Sequence, residues 1–340
     1  MKGYLVKRLL LMTIVAFVVL TITFVLTHIA PGDPALQWVG LRPTAEQLQR
    51  ARTELGLDKP FYQRYAIYLS NVLTGHFGVS IRSKQPVMKE IISFFPATVE
   101  LVSVAILISL VFGIFLGVLS AIRRESTVDH VGRIVSLSGV AVPIFWLGMM
   151  LQLFFYTKAG ILPIQGRISS EVLMDHPFVH WTGLYFIDTV ISGNLVALGS
   201  ALIHMILPAL TLGFTSVALI SRMARSSMIE VLREDYVRTA RAYGFKERLI
   251  RYKYALKNAM IPTITAAGIA YGFNLGGSVL VESIFDWPGI GRYMAIAIRE
   301  NDYPAVLGAT MIYCLMYVTL NLIIDLIYLA LDPRVQYLEK

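Results

Sequence analysis

The chain has 340 residues, of which 56% are hydrophobic and only 15% charged, and its mean hydropathy is +0.64. These values exclude an ordinary soluble globular protein and indicate a protein that lies in a lipid bilayer. The net charge of +8 favours basic loops at one membrane face over nucleic-acid binding in so apolar a chain. The single cysteine, Cys314, excludes a disulfide framework or a cysteine metal cluster built from this chain alone.

Long apolar runs recur along the chain, several of them near the length of roughly 18 to 20 residues that a helix needs to cross the hydrocarbon. Because backbone polar groups find no water in the bilayer, these runs must close their hydrogen bonds within helices. The sequence therefore predicts an all-α integral membrane protein with about six transmembrane helices. The predicted spans are Leu9–Ala30, Ala97–Ile122, Ile134–Tyr156, Ser200–Ile220, Pro262–Val281 and Val306–Leu331.

The first span follows basic residues, as a secretory signal does, but its apolar run is longer than the usual h-region of about 7 to 15 residues. We therefore expect it to remain as a membrane helix. Lysine and arginine are concentrated in the loops on the side of the N-terminus, with ten of them between Arg222 and Lys257. Basic loops mark the cytoplasmic face. The predicted location is the cytoplasmic (inner) membrane, with both termini cytoplasmic.

The segment between the first two spans, 31–96, is too long for a simple connection. Its start, Pro31-Gly32-Asp33-Pro34, cannot continue a helix, and Thr44 to Gln47 has the pattern of a capping box. We expect a small helical subdomain on the outer side. The predicted division is thus 1–96, the first transmembrane helix with this subdomain, and 97–335, a five-helix core with a cytoplasmic loop at 221–262.

The cytoplasmic loop between spans four and five is the most informative stretch of the sequence. Met228, Val231, Leu232 and Tyr236 recur at helical spacing, and Gly244 can adopt the positive φ that ends a helix. The pattern predicts a short amphipathic helix beneath the bundle. From spacing alone, a connector that faces lipid headgroups and a helix that docks on a partner both remain open.

Two stretches of this loop stand out, DYVRTARAYG at Asp235–Gly244 and ALKNAMIP at Ala255–Pro262. They resemble the coupling loop of ATP-binding-cassette importer permeases, and more narrowly that of the dipeptide and oligopeptide permeases. Arg238-Thr239-Ala240 stands where Glu-Ala-Ala is usual in the broader family, and Pro262 falls later than usual; both departures are typical of the peptide branch. Further matching stretches are Ala30–Pro34, Leu55–Pro60, Gly75–Ser80, Pro143–Gly148 and Glu282–Arg292.

The resemblance implies that the loop docks as a coupling helix on a separate ATPase subunit. No G-x-x-x-x-G-K-[ST] phosphate loop occurs in the sequence, so no cofactor is expected in this chain, and ATP and Mg would be bound by partner subunits. The implied partners are a homologous second permease, two ATPase subunits and an external solute-binding protein, besides membrane lipid and without nucleic acid. The implied coupling residues are Glu234, Asp235, Tyr236, Arg238, Thr239, Ala240, Arg241, Ala242 and Gly244.

The function that follows is transport of peptides by alternating access, not catalysis. The same kind of importer for oligosaccharides or nickel stays open as an alternative. A membrane enzyme or a receptor or scaffold is the alternative of another class, although the sequence contains no H-E-x-x-H, G-x-S-x-G or cysteine cluster. No metal site is predicted, because Pro177 interrupts the turn that carries Asp175, His176 and His180.

Ionisable groups in or near the membrane are the candidates for a gate or pathway, because charge is costly in hydrocarbon and often functional. These candidates are Glu282, Asp325 and His204, with Asp325 expected to pair with Arg222 or another basic residue of the coupling region. At span ends, a satisfied structural contact is the favoured interpretation for each of them and for Glu100. Glycines of the fifth span, Gly268, Gly272, Gly276 and Gly277, are expected to pack against neighbouring helices.

Overall fold

The computed structural model describes residues 2–29, 33–40 and 43–331, and most of these residues are helical. Within these ranges there is no strand, only an isolated antiparallel bridge between Val79 and Pro86. The prediction of an all-α protein is confirmed. The helices are α1 (Lys2–Ile29), α2 (Pro34–Val39), α3 (Ala45–Glu54), α4 (Phe61–Leu73), α5 (Val87–Ile122), α6 (Thr127–Ala141), α7 (Ile144–Leu151), α8 (Ser170–Asp175), α9 (Tyr185–Ile191), α10 (Leu195–Val231), α11 (Asp235–Ala242), α12 (Glu247–Leu249), α13 (Leu256–Ile284), α14 (Ile290–Arg299) and α15 (Tyr303–Leu331), with π-helical turns at Gln152–Lys158 and Ile250–Ala255.

Four helical segments of the described chain are long and apolar enough to cross a membrane: α5, α10, the continuous stretch Glu247–Ile284, and α15 over Tyr303–Ile324. A fifth span is formed if α6 and the helix Ile144–Lys158 are taken together, although they are bent by 108°. The apolar part of α1 that can be assessed is Leu10–Leu26, which is shorter than a span. The count of six therefore stays a prediction.

Prolines account for the differences between the predicted spans and the observed helices. The third span was expected to be one helix, but α6 ends before Pro143, because the residue ahead of a proline, here Val142, is pushed out of the helical region (ψ 121°). Pro96 and Pro262 lie inside α5 and α13, so both helices begin before the predicted spans, and the span bounds Ala97–Ile122 and Pro262–Val281 stay predictions. A proline inside a membrane helix leaves one backbone carbonyl without its helical hydrogen bond, and groups of neighbouring helices can satisfy that carbonyl.

One compact unit comprises residues 1–98 together with 288–318. It contains the predicted small helical subdomain, α2 to α4, and the capping box at Thr44 is confirmed, since Gln47 N donates to Thr44 Oγ1 over 3.2 Å and Thr44 N to Gln47 Oε1 over 2.9 Å. The aromatic ring of Phe24 on α1 packs against Tyr65 and Tyr68 of α4, with centroids 5.2 and 5.1 Å apart. The subdomain is thereby fixed to α1.

A buried carboxylate organises the start of α15 in the same unit. Asp302 is 1% exposed and accepts hydrogen bonds from Ser80 Oγ (2.5 Å), Arg82 N (3.1 Å) and Ala305 N (3.3 Å). Asp302 accepts hydrogen bonds both from the loop before α5 and from the first turn of α15, so it joins these two segments.

The second compact unit comprises residues 99–287 and 319–340, and its centre is the packing of α10 against α13 and α6. Small residues allow this approach: a Cβ on Gly139 would lie 2.5 Å from Ala218 Cβ. The prediction for Gly268 is confirmed, since a Cβ there would meet Ile324 at 2.5 Å. The predicted close packing is wrong for Gly276 within this chain, because nothing described lies within 4 Å of a Cβ at that position.

Some predictions fall on residues that the structure does not describe. Pro31, Gly32 and the proposed boundary at residue 335 lie outside the described ranges, and so does the side chain of Asp325. The division into 1–96 and 97–335 stays a prediction, and so does the pairing of Asp325 with Arg222.

Candidate functional site

The predicted cytoplasmic helix is α11, and it is shorter than the sequence pattern indicates. Met228 and Val231 belong to the long helix α10, which ends where Arg233 N and Glu234 N bond back to carbonyls three residues earlier, at 3.0 and 3.1 Å. Such tightening is common in a last helical turn. A new helix then begins at Asp235, whose carboxylate at the first turn favours helix formation.

Helix α11 ends in a Schellman motif built around Gly244. Phe245 N donates to Ala240 O over 3.1 Å, and Gly244 N donates to Arg241 O over 2.9 Å. Gly244 has φ +75°, so the positive φ predicted for it is confirmed. The motif satisfies carbonyls at the end of α11 and turns the chain towards α12.

One buried residue anchors α11, and sequence reasoning missed it. Val237 is fully buried, whereas every other residue of 233–249 is exposed or, for Ala240, half-buried. A second link comes from Asn258 Nδ2 on α13, which donates to Tyr236 Oη over 2.8 Å. The lone aliphatic residue within the charged DYVRTARA stretch was the available signal for the anchor. The arrangement presents an exposed helix on a fixed base.

The polar residues of α11 contact mainly one another and the turn that follows. Arg238 Nη1 lies 3.3 Å from Asp235 Oδ1, with side chains 71% and 95% exposed. Arg241 Nε donates to Glu247 Oε1 over 2.8 Å, and Arg251 Nε donates to the other oxygen, Oε2, over 2.9 Å. The residues predicted for coupling are thus brought together on one exposed segment, with most of their donors and acceptors accessible.

A bidentate ion pair missed by sequence reasoning lies on α10 ahead of this segment. Arg225 Nε and Nη2 donate to the two carboxylate oxygens of Asp129, at 2.7 and 2.8 Å, and Glu125 N donates to Asp129 Oδ2 over 3.0 Å. The Asp129 side chain is fully buried, and that of Arg225 is 26% exposed. Because Asp129 stands in the first turn of α6, the pair joins α6 to the helix that leads into α11.

Glu100 has the structural contact expected for it. Its carboxylate forms a buried ion pair with Arg167 and also accepts a hydrogen bond from Phe186 N (2.8 Å). The guanidinium of Arg167 donates to Gly183 O (3.0 Å) and stacks on Tyr185, with Cζ 3.7 Å from the ring centroid. These contacts hold the segment 160–194, which lies between the π-helical turn and α10, to α5. We call the five residues that form them the 160–194 latch: Glu100, Arg167, Gly183, Tyr185 and Phe186.

The remaining gate candidates lie apart from α11 in sequence. Glu282 is fully buried on α13, and His204 on α10 is half-buried with Nδ1 2.8 Å from Ser200 O. A buried polar contact that sequence reasoning missed joins the same two helices, since Ser216 Oγ donates to Asn274 Oδ1 over 2.8 Å. Hydroxyl and amide side chains of this kind often link helices within membranes.

The described residues contain no group of three or more metal-ligating side chains. His180, one of the residues considered for a metal, instead packs against Phe178 and Tyr185, with ring centroids 4.6 and 5.1 Å apart. The ring contacts give this histidine a structural role in the loop that carries the latch.

Comparison with known proteins identifies the family. Residues 113–337 match the family described as binding-protein-dependent transport system inner membrane component, and residues 1–102 match its N-terminal family. The chain is 44% identical over 317 residues to the probable D,D-dipeptide transport system permease of Escherichia coli (strain K12), covering 93% of this chain and 92% of that protein. It is 39% identical to the dipeptide transport system permease of Alkalihalophilus pseudofirmus, over 99% of this chain and 100% of the relative.

The fold is also similar to a solved structure of the MetNI methionine ABC transporter in an inward-facing conformation. The TM-score is 0.50 at 16% identity, and the match covers 69% of this chain and 93% of the other. The resemblance read from the coupling loop is confirmed by these comparisons, and the chain is a transport component, not an enzyme. This chain belongs to the binding-protein-dependent transport system inner membrane components, and within them to the dipeptide/oligopeptide permease family of ABC importers.

Proposed function

We propose that this chain imports peptides through the cytoplasmic membrane by alternating access, driven by ATP that partner subunits hydrolyse. The observation that carries the proposal is α11, an exposed charged helix fixed by the buried Val237 and closed by Gly244. A helix held in this way can transmit a rigid-body motion of a docked partner to α10 and α13. The relatives named for dipeptides support peptides as the cargo.

Reconstituted transport tests the proposal directly. The permease is assembled in liposomes with its homologous second permease, two ATPase subunits and the external solute-binding protein, and uptake of a labelled dipeptide is measured. We expect uptake that requires ATP and Mg and that ceases when the ATPase subunits are omitted. Uptake of an oligosaccharide or nickel but not the dipeptide would reassign the cargo, and assembly without any ATP-driven uptake would favour a receptor or scaffold.

The coupling assignment predicts specific contacts to the ATPase subunit. Glu234, Asp235, Tyr236, Arg238, Thr239, Ala240, Arg241, Ala242 and Gly244 form the proposed docking segment. Cysteine introduced at Arg238, which is 71% exposed in its side chain, should cross-link to the ATPase subunit, whereas cysteine at the exposed Ser83 of the outer segment should not. Equal cross-linking at both positions would contradict the assignment. No cofactor site is proposed for this chain, since ATP and Mg belong to the partners.

We also propose that Glu282, His204 and Asp325 contribute to the gate or to the transport pathway of this importer. Neutral substitutions, Glu282→Gln, His204→Gln and Asp325→Asn, should change the uptake rate while leaving assembly and basal ATP hydrolysis intact. A variant that instead fails to assemble has lost a structural contact, and its pathway role is then withdrawn.

The proposed orientation places both termini and α11 in the cytoplasm and the segments 31–96 and 160–194 outside. Single cysteines are introduced in a Cys314→Ala background at the exposed residues Ser83, Ser170 and Lys246. An impermeant thiol reagent applied outside should label the first two positions but not the third. Labelling of Lys246→Cys in sealed right-side-out vesicles would reverse the orientation and remove the coupling assignment.

We further propose that the subdomain α2–α4 forms part of the dock for the external solute-binding protein. Phe61, Tyr62 and Leu73 on α4 are 52%, 69% and 88% exposed, a large apolar surface for one helix. Changing Tyr62 and Leu73 to Ser should raise the concentration of binding protein for half-maximal ATPase stimulation by about tenfold. Basal hydrolysis should not change. The control is Met174→Ser on α8, an apolar residue 79% exposed and outside the subdomain, and an unchanged response in the Tyr62/Leu73 variant would make the subdomain a structural cap only.

A further inference from the structure

A cavity of about 490 Å³ lies within the unit 1–98 and 288–318. Its walls come from the end of α1, from α4 and from the start of α15, including Phe24, Tyr68 and Leu307. A volume of this size is in the range of about 300–1,000 Å³ typical of pockets for organic ligands. The Phe24 ring is 3% exposed and stacked on Tyr68, so the wall is packed protein and not a chance gap between loose side chains.

Hydrogen-bond donors line one face of α4 towards this cavity. Arg64, Tyr68 and Asn71 follow at i, i+4 and i+7 on α4 and all line the cavity. The Tyr68 hydroxyl is buried and has no hydrogen-bond partner among the described residues. Among the described residues, Arg64 forms no ion pair. Burial lowers the pKa of Arg64 and raises the pKa of Tyr68, because both charged forms lose solvation there. A ligand that accepts hydrogen bonds and carries negative charge would satisfy this face.

Among the described residues that line the cavity, one carboxylate, Glu54, is present, and it is already engaged. Glu54 Oε2 accepts a hydrogen bond from Trp38 Nε1 over 3.1 Å, and Lys84 Nζ lies 3.5 Å from the centroid of the Trp38 ring. Lys59 adds a second cation to the lining, beside Arg64. The charge of the cavity wall is therefore positive, and its apolar part adjoins the ends of two membrane helices.

The position of the cavity along the helices indicates which kind of anionic ligand it binds. Phe24 lies near the last turns of α1, and Tyr303 and Pro304 begin α15, so the cavity is at the level where membrane helices emerge from hydrocarbon. Aromatic and basic side chains at this depth contact lipid headgroups. We propose that the cavity binds one anionic phospholipid, with its phosphodiester on Arg64 and Tyr68 and an acyl chain along Phe24 and Leu307.

The test is a lipid titration of the full chain in its assembled importer. The complex is purified in detergent, and bound phosphatidylglycerol or phosphatidylcholine is counted by native mass spectrometry. Arg64→Gln should raise the phosphatidylglycerol concentration for half-occupancy by about tenfold, because a charge-assisted hydrogen bond is lost. Tyr68→Phe, which keeps the ring packed on Phe24, should raise it by a smaller factor, and Arg64→Lys should restore part of the affinity.

A matched control is Arg50→Gln, which removes a cation from an exposed pair with Glu46 on α3, away from the cavity lining; its lipid occupancy should equal that of the parent. A phosphatidylglycerol bearing a photoreactive group at the acyl terminus should cross-link to the peptides that contain Phe24 or Leu307. Equal occupancy in the parent and Arg64→Gln would overturn the proposal. It would also be overturned if glycerol 3-phosphate bound as tightly as the lipid, which indicates a free-anion site, or if the solute-binding protein displaced the lipid, which indicates a protein contact.

Discussion

The 160–194 latch and helix α11 both contain charged and aromatic residues, but the ion pair of the latch is buried and that of α11 is exposed. In the latch, Glu100 and Arg167 have side chains only 4% and 6% exposed, and backbone groups of the loop add hydrogen bonds to both, although Arg167 Nε has no partner among the described residues. In α11, Asp235 and Arg238 face solvent, and within the part of the chain that the structure describes their ion pair is with each other. Buried pairs are costly to break, whereas exposed pairs contribute little to stability. The latch is buried within the chain, whereas α11 leaves most of its charged side chains exposed, as the proposed docking on an ATPase subunit requires.

The largest effect is expected from breaking the latch. Arg167→Met should lower the free energy of unfolding by about 3–5 kcal/mol, because the Glu100 carboxylate would stay buried without its cation. Thermal unfolding of the purified permease in detergent measures this. The double variant Glu100→Gln/Arg167→Met should recover part of the loss, since no unpaired charge remains. A single variant as stable as the parent would mean that the buried pair does not hold the loop.

An intermediate effect is expected for the ion pair between α6 and α10. Asp129→Asn should cost about 2 kcal/mol, because two charge-assisted hydrogen bonds from Arg225 are weakened while the side-chain size is kept. Uptake should fall together with stability, as measured by thermal unfolding and transport on the same preparation. Unchanged thermal stability would contradict a structural role for this pair.

A smaller effect on stability, with a large effect on transport, is expected at Gly244. Gly244→Val should cost about 1–2 kcal/mol because of the φ of +75°, with no added clash at Cβ, since nothing described lies within 4 Å of a Cβ built there. The control is Gly193→Val, which has φ +64° and equally open surroundings in the loop before α10. Both variants should unfold at similar temperatures, but only Gly244→Val should uncouple ATP hydrolysis from uptake. Equal transport in the two variants would remove the special role of the α11 turn.

The smallest effect on stability is expected on α11 itself. Asp235→Asn, the same chemical change as Asp129→Asn, should alter the free energy of unfolding by less than about 0.5 kcal/mol, because the pair with Arg238 is exposed. Cross-linking to the ATPase subunit and stimulated hydrolysis should nevertheless decrease. If Asp235→Asn destabilised the chain as much as Asp129→Asn, the contrast between buried and exposed pairs would fail.

Local signals in the sequence were sufficient for the features that depend on neighbouring residues. The long apolar runs predicted helices, Thr44 and Gln47 predicted a capping box, and Gly244 predicted a turn with positive φ. Each of these depends on hydrogen bonds within a few residues, which residue type and spacing determine. The family motif at 235–262 was readable for the same reason, since it is one contiguous stretch.

Pairings between distant residues could not be predicted. Arg167 is 67 positions from Glu100, and Arg225 is 96 from Asp129, and no pattern in one sequence selects these partners among 30 basic residues. Val237 had a local signal, as the one branched aliphatic residue of DYVRTARA, but the partners that bury it are determined by tertiary packing. The break before Pro143 had a local signal, but the surrounding apolar run suggested one continuous span.

The bend of 108° after α6 has a consequence for how the protein enters the membrane during synthesis. Helix α6 has 15 residues, and the helical stretch Ile144–Lys158 also has 15, 8 in α7 and 7 in the π-helical turn, so each half is at most about 22 Å long, less than the roughly 30 Å of hydrocarbon. Neither half can be inserted as a span of its own. The bent geometry requires neighbours that are synthesised later, since Gly148 of α7 packs against Thr211 of α10 and Phe285 after α13. A ribosome-bound chain ending before α10 should therefore hold this segment in a different arrangement, which becomes bent only when the later helices have left the translocon.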